Sequence, residues 1–281
     1  MRLNPRVLIA AFILLIGIVG YYGKSVLNPV TGEKQHISLT TDQEIALGLG
    51  SAPKMAEEFG GLDPDENAQA LVQRVGERLM SKSVANTTPY KFQYHLLRDP
   101  QTVNAFALPG GPIFITRGLL TRLQNEAQLA GVLGHETGHV VARHSAEHMA
   151  KSQLGQSIVG AIYVGASDQN GRGQQAAMMA AVANQMVQLK YGRQDELEAD
   201  TLGVRVMSEA GYDPRALLGV MKILEDASGG KRQSEFMSSH PNPGNRQQVI
   251  EAAIEKMYPN GVPRELTNGA ELRKSKAATA E

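Results

Sequence analysis

Two histidines four residues apart constrain this chain more than any other feature: His135 and His139, in the stretch Gly134-His135-Glu136-Thr137-Gly138-His139. Upstream, Asn125 with Gln128 three residues on reads as a helix-opening capping box. Leu129, Val132, Leu133 and Val140 then recur at helical spacing. On a helix of about 3.6 residues per turn, the two histidines lie one turn apart on one face. Two neutral imidazoles so placed can converge on one Zn²⁺ at about 2.0–2.1 Å. Glu136 stands about 100° round from His135, close enough to bond a water on the metal and too far round to ligate as the histidines do. Two ligands, a general base and an open metal position are what a metal-assisted peptide hydrolase needs. The competing reading, two satisfied histidines in a packed helix, loses ground if the chain supplies a third ligand.

It supplies one in Arg193-Gln194-Asp195-Glu196-Leu197-Glu198-Ala199-Asp200, which reads as a second helix packing through Leu197, Val204, Val206 and Met207. Glu196 and Asp200 share a face of that helix. Glu196 is assigned as the third ligand, and Asp200 as the carboxylate that holds a ligand histidine by its other N–H. A solvated acidic face is the ordinary alternative for such a run, and acidic residues also favour a helix N-terminus. The demand of the first motif for a partner decides between them. With no cysteine in the chain, thiolate ligands, a thiol nucleophile and disulfides are all excluded.

Further motifs complete a pattern: Asn28-Pro29-Val30-Thr31-Gly32, Asn104-Ala105-Phe106-Ala107-Leu108-Pro109-Gly110-Gly111 and Ser239-His240-Pro241. With these, the chain from about Asn28 to Arg246 resembles the HtpX/Oma/CAAX-prenyl-protease (Ste-type) family of zinc metallopeptidases, which are gluzincins. The resemblance implies one zinc on His135, His139 and Glu196, with Glu136 as catalytic base, the set already reached from spacing. It implies a zincin-like α+β fold, mainly helical, with a small sheet beside the metal helix. It also places the loop Ser238–Arg246 beside the metal. There His240 has two possible roles: stabilising the oxyanion of the tetrahedral intermediate, or ligating zinc as a fourth residue in a latent enzyme. Arg246 either orients that loop or meets a carboxylate near the site. Misfolded or misassembled cell-envelope proteins are the substrates the resemblance suggests. A zinc-containing envelope chaperone without proteolysis is the alternative, though a closed structural zinc would not need Glu136.

The remaining sequence sets the context. The apolar share of 42% over 281 residues allows one good-sized core or two small ones. Net charge is zero and no long charge run occurs, which argues against nucleic-acid partners. Arg2 and Arg6 precede an apolar run, and Val7–Tyr22 as a helix spans about 24 Å. That is short of the roughly 30 Å bilayer core, yet Tyr21 and Tyr22 sit where an interfacial belt belongs. Residues 1–23 are therefore read as an inner-membrane anchor, with the remainder in the bacterial periplasm, or as a signal segment releasing it there if cleaved. Linker and first helix occupy 24–60, the peptidase domain 61–258, and a loose tail 259–281.

Within the domain, Pro112-Ile113-Phe114-Ile115-Thr116 reads as an edge strand, because proline at its start suits an edge. Gly111, Pro112, Ile113 and Phe114 are then expected either to bind an extended substrate backbone by strand addition or to be plain core. His144-Ser145-Ala146-Glu147-His148 matches an inverted zinc pattern, but about 140° of helix separates His144 from His139. His144 and His148 are read as supporting residues, His95 as a strand residue and His36 as ordinary surface. Residues 155–190, rich in Gly, Ala, Met and Gln, form either a helical pair on the core or a mobile cover over the cleft. Neither of its two pieces, 157–167 and 174–189, reaches the length of a membrane span by itself.

Overall fold

The computed structural model describes residues 5–166, 191–228, 235–240 and 244–272. They form two compact units, one from 1–40 with 144–191 and one from 41–143 with 192–281.

The first unit begins with α1 (Pro5–Tyr22), uncharged after Arg6 and with no buried residue. The antiparallel pair β1 (Ser25–Leu27) and β2 (Lys34–His36) follows. Their connection turns on Asn28, whose Oδ1 accepts the N–H groups of Val30 and Thr31, as Asn in a turn does. His36 is not plain surface: its ring stacks on Tyr21 at 4.8 Å. Among the described residues the unit's other element is α6 (His144–Ala166), which packs along α1. Residues 155–166 of the expected cover lie within α6; 167–190 lie outside the described residues.

The second unit holds α2 (Thr41–Glu58), α3 (Glu66–Lys82), a 3-10 turn (Val84–Thr87), β3 (Gln93–Leu97), β4 (Ala105–Ala107), β5 (Pro112–Thr116), α4 (Arg117–Leu120) and α5 (Glu126–Val141). After the first unit's insertion come α7 (Arg193–Glu209), α8 (Ala216–Ser228), α9 (Glu235–Ser239) and α10 (Arg246–Met257). The division differs from the one read in sequence: α2 belongs here rather than with a linker, and α6 belongs with α1.

Helix α5 is the axis of this unit. Every residue from Ala127 to Val141 is buried, because α3, α7, α8 and the sheet all pack on it. A periodic apolar stripe is therefore only part of its character; its polar residues are inside too. Asn125 caps it, accepting the Gln128 N–H at 3.0 Å, while Gln128 reaches back to the N–H of Gln124 rather than of Asn125. Close approach to α7 depends on glycine: a Cβ on Gly138 would stand 3.0 Å from the Ala199 carbonyl, and one on Gly203 3.3 Å from the His135 nitrogen.

The sheet runs β3-β5-β4, with β3 parallel and β4 antiparallel to β5. The strand starting at Pro112 is thus central, not an edge. Its proline has no N–H to give, but the first bond of the parallel ladder uses the carbonyl of Gly111, which accepts from Gln93, so the missing donor costs nothing. Ile113 and Phe114 are 0% and 1% exposed, and the Phe114 ring lies between His95 and Phe106 at 5.1 and 5.0 Å. Gly111, Pro112, Ile113 and Phe114 are consequently core and ladder residues, closed to an added strand. Among the described residues β4 carries a strand on one side only.

Residues 259–272 are not loose. Ala270 and Asn268 carbonyls accept the N–H groups of Glu126 and Ala127, each at 3.0 Å, satisfying donors that the first turn of a helix leaves without an internal partner. Thr267 exchanges backbone bonds with Gly211 and Asp213, and the Leu272 N–H reaches the Gln124 carbonyl. The segment is fixed through its backbone, which no apolar periodicity reports; 273–281 lie outside the described residues. Deleting 259–281 is therefore expected to destabilise the protein, each lost bond contributing about 0.5–1.5 kcal/mol. Thermal unfolding of the truncated and full chains checks this, and an unchanged midpoint would contradict it.

Candidate active site

Four residues from three parts of the second unit meet at one point: His135 and His139 on α5, Glu196 on α7, and His240 just past α9. One possible ligand atom from each lies within 4.8 Å of all the others, and all four are buried. The Nε2 atoms of His135 and His139 are 3.1 Å apart. Glu196 Oε1 lies 3.5 Å from His139 Nε2, and its Oε2 lies 3.6 Å from His135 Nε2. The helical spacing in α5 and the close packing of α7 on it produce this convergence.

Around the four stands a second set. Asp200 Oδ1 lies 3.0 Å from His135 Nδ1, so a hydrogen on Nδ1 is donated outward and the Nε2 lone pair faces the cluster. Arg246, the first residue of α10, grips Asp200 with both prongs, at 2.7 and 2.6 Å. Its third nitrogen is 3.0 Å from Glu196 Oε2. Arg246 is 2% exposed, and this buried fork ties the α10 start to α7. Tyr94 on β3 meets Thr137 of α5 at 3.1 Å, bracing the catalytic helix against the sheet.

The electrostatics favour a cation at the centre. Burial alone would lower the pKa of His135, but hydrogen bonds to Asp200 and Glu196 outweigh it and raise the value to about 9. Burial pushes the Glu196 carboxyl up, yet the His240 charge and the histidine hydrogen bonds hold it well below the usual range. Asp200 is likewise pushed up by burial and brought below its ordinary value by Arg246. Glu136 goes the other way, raised chiefly by burial. Its carboxylate is fully buried, neither oxygen has a hydrogen bond among the described residues, and Oε1 lies 3.7 Å from His240 Nε2. A buried carboxylate without a hydrogen bond is costly unless some group supplies one. The donor set of imidazoles and carboxylate suits a divalent metal such as zinc, and the residues present fit such an ion.

The structure thus brings together His135, Glu136, His139, Glu196, Asp200, His240 and Arg246 from the sequence reading. It does not bring the strand residues 111–114 into the cluster. Sequence reasoning missed Phe236: its ring stacks on His240 at 4.4 Å and lies 6.2 Å from His135, while its carbonyl accepts the His240 N–H at 2.7 Å. The short helix α9 that leads into His240 has no motif of its own in the sequence. An aromatic four residues before the histidine was the available signal. Pro241–Pro243 lie outside the described residues. His144 and His148 stand in the first unit, where both rings approach Tyr191; the metal-capable group found among the described residues does not include them.

The model of Peptidase family M48 matches residues 66–254, a range that contains every residue of the cluster. The mitochondrial metalloendopeptidase OMA1 of Schizosaccharomyces pombe is 33% identical over 239 residues, covering 84% of this chain and 68% of that protein. The beta-barrel assembly-enhancing protease of Escherichia coli is 30% identical over 232 residues, 78% of this chain and 45% of that protein. The chain therefore spans less than half the length of the latter. OMA1 of Arabidopsis thaliana is 34% identical over 162 residues, 56% of this chain and 31% of that protein. With most of its length inside that family model, and with helices α5 and α7 meeting as they do, this chain belongs to peptidase family M48.

Proposed function

We propose that the chain is a zinc-dependent metalloendopeptidase that cleaves unfolded or misassembled proteins of a bacterial cell envelope. The observation that carries this reading is the buried meeting of His135, His139 and Glu196 beside a carboxylate, Glu136, that has no hydrogen bond among the described residues. His135, His139 and Glu196 would hold the ion, and Asp200 would fix the His135 ring with its Nδ1–H turned away from it. Bound there, Zn²⁺ supplies a Lewis acid for the scissile carbonyl and lowers the pKa of a water. Glu136 takes the proton of the attacking water and delivers it to the leaving amine. Its raised pKa suits a base that must also act as an acid. A structural zinc in a chaperone would give this buried carboxylate no task. An extended substrate would add to the outer edge of β4 by main-chain hydrogen bonds, a mode tolerant of sequence.

For His240 the geometry favours the ligand role over the oxyanion role: its Nδ1 is 3.0 Å from Glu196 Oε1 and 3.4 Å from His135 Nε2, inside the ligand set. We take this arrangement as a latent form, with His240 in the position that water or substrate needs. His240→Ala is then expected to raise the initial rate of casein cleavage, by the factor by which closed molecules outnumber open ones. A fall in kcat with zinc retained would instead assign His240 to the oxyanion.

The envelope assignment draws on α1, the one helix among the described residues long and apolar enough to cross a membrane. Arg2 before it and Arg6 in its first turn favour a cytoplasmic N-terminus and a periplasmic catalytic unit. If the segment is cut, the same unit is released into the periplasm. The names of the relatives, a metalloendopeptidase and a beta-barrel assembly-enhancing protease, support proteolysis and an envelope substrate. Cleavage of reduced casein by the full chain, abolished by a zinc chelator and restored by Zn²⁺, tests the reading. Cleavage indifferent to the chelator would defeat it.

A further inference from the structure

Helix α6 lies antiparallel to α1, and the register is readable from their contacts. Gly160 faces Ile13, where a Cβ would stand 3.9 Å from Ile13 Cγ2. One turn on, Gly17 faces Ser157 so closely that a Cβ would come within 2.5 Å of the Ser157 Cβ. Farther along, Gly20, Tyr21 and Lys24 share a small cavity with Ala150, Gln153 and Leu154. Small residues at the crossing let two helices approach closely where no water drives them together.

The charges follow the same register. Between Arg6 and Lys24 the chain carries no charge, and between Lys151 and Asp168 it carries none. Antiparallel packing sets Lys24 beside the Lys151 end of α6 and Arg6 toward the end that leads to Asp168. The two uncharged lengths, each about 25 Å as helix, therefore lie side by side. Exposed apolar residues stand on both helices: Ile9 at 52% and Leu15 at 57% on α1, Ile158 at 39% and Tyr163 at 51% on α6. Gln153 and Gln156 of α6 are exposed nearer its start. Two polar side chains of α6 in this length bond within the helix. Ser157 Oγ donates to the Gln153 carbonyl at 3.0 Å and Gln156 Nε2 to Ser152 Oγ at 3.4 Å, as polar side chains do where water is absent.

From these observations we infer that α6 enters the bilayer beside α1 from Ser152 to Ala166, with lipid acyl chains covering Ile158 and Tyr163. The inference rests on the reading of α1 as a membrane helix. α6 does not qualify as a span by its own composition, because Lys151, Ser152, Gln153, Gln156 and Ser157 keep its hydropathy low; its partnership with α1 is what assigns it. The membrane then holds the chain on both sides of α2–α5 in sequence, before Thr41 and after Arg143. The catalytic helix α5 passes to a bilayer helix through Ala142 and Arg143 alone.

The chain contains no tryptophan, so a single introduced one reports its own surroundings. The full chain is reconstituted in phosphatidylcholine–phosphatidylglycerol vesicles, with and without lipid brominated at mid-chain. Ile158→Trp is compared with Leu15→Trp, near the same level of α1, and with Leu62→Trp, a 48% exposed position of the catalytic unit. Tyr163→Trp with Ile9→Trp repeats the comparison in case Ile158→Trp fails to fold. Ile158→Trp is expected to lose as large a fraction of its emission to the brominated lipid as Leu15→Trp, and Leu62→Trp to lose none. Quenching of Leu15→Trp without Ile158→Trp or Tyr163→Trp would overturn the inference while leaving the anchor standing. Absence of quenching in Leu15→Trp and Ile9→Trp would remove the anchor and the inference together.

Discussion

Glu136→Gln is expected to lower kcat/KM for casein cleavage by about 10²–10⁴, the usual contribution of a general acid–base group, with one zinc per chain retained. The substitution changes one oxygen for an amide nitrogen of nearly the same size, and α5 buries that side chain completely, so the packing is preserved. Glu136 is not among the residues whose ligand atoms converge, so zinc binding should be unaffected. What disappears is the ability to take a proton from water and return it to the amine. The amide can accept a hydrogen bond but cannot hold the proton. Initial rates on casein, with zinc measured in the same preparations, decide the matter. A variant that cuts within a factor of about three of wild type would show that another group is the base.

The second large effect is expected at Arg246. Its guanidinium meets Asp200 through both prongs and Glu196 through the remaining nitrogen, with all three residues 0–2% exposed. Removing one member of a buried ion pair leaves the other charge uncompensated, at a cost of about 3–5 kcal/mol. Arg246→Met, which keeps the apolar stem, is expected to lose stability of that order. The same change frees Asp200 to turn away from His135, and loss of such an outer partner typically weakens metal binding about 10–100-fold. Arg246→Lys keeps the charge but not the fork. It should recover stability more than zinc affinity. Urea unfolding and zinc competition against a chelating dye give the two quantities. If Arg246→Met unfolds within about 1 kcal/mol of wild type, a range ordinary for surface changes, the guanidinium does not hold the site together.

The legibility of this chain was uneven for physical reasons. His135, Glu136, His139 and Glu196 were readable because helical spacing dictates which side chains share a face, and chemistry dictates how many ligands a zinc site takes. Asp200 followed from the same geometry. For Arg246 the sequence offered two roles, orienting its loop or meeting a carboxylate near the site. Which carboxylates it meets, Asp200 and Glu196, was not readable because those bonds join elements far apart in sequence. Phe236 carried no motif and needed the fold to bring its ring to His240. The strand at Pro112 misled because proline's missing N–H matters only where a ladder bond is required, and here the Gly111 carbonyl makes that bond. Residues 259–272 misled because backbone hydrogen bonds to Glu126, Ala127, Gly211 and Asp213 leave no trace in side-chain periodicity. The division into two units depends on α6 pairing with α1, a long-range contact that sequence order hides.

If the cluster on α5 and α7 is a hydrolytic metal site, zinc content and activity must be lost together. Full-length wild type and Glu196→Ala are purified alike, zinc is quantified by mass spectrometry, and casein cleavage is followed in the same samples. One zinc per chain and cleavage are expected for wild type, with both lost in Glu196→Ala. Cleavage that persists in Glu196→Ala after its zinc is gone would contradict a hydrolytic metal site.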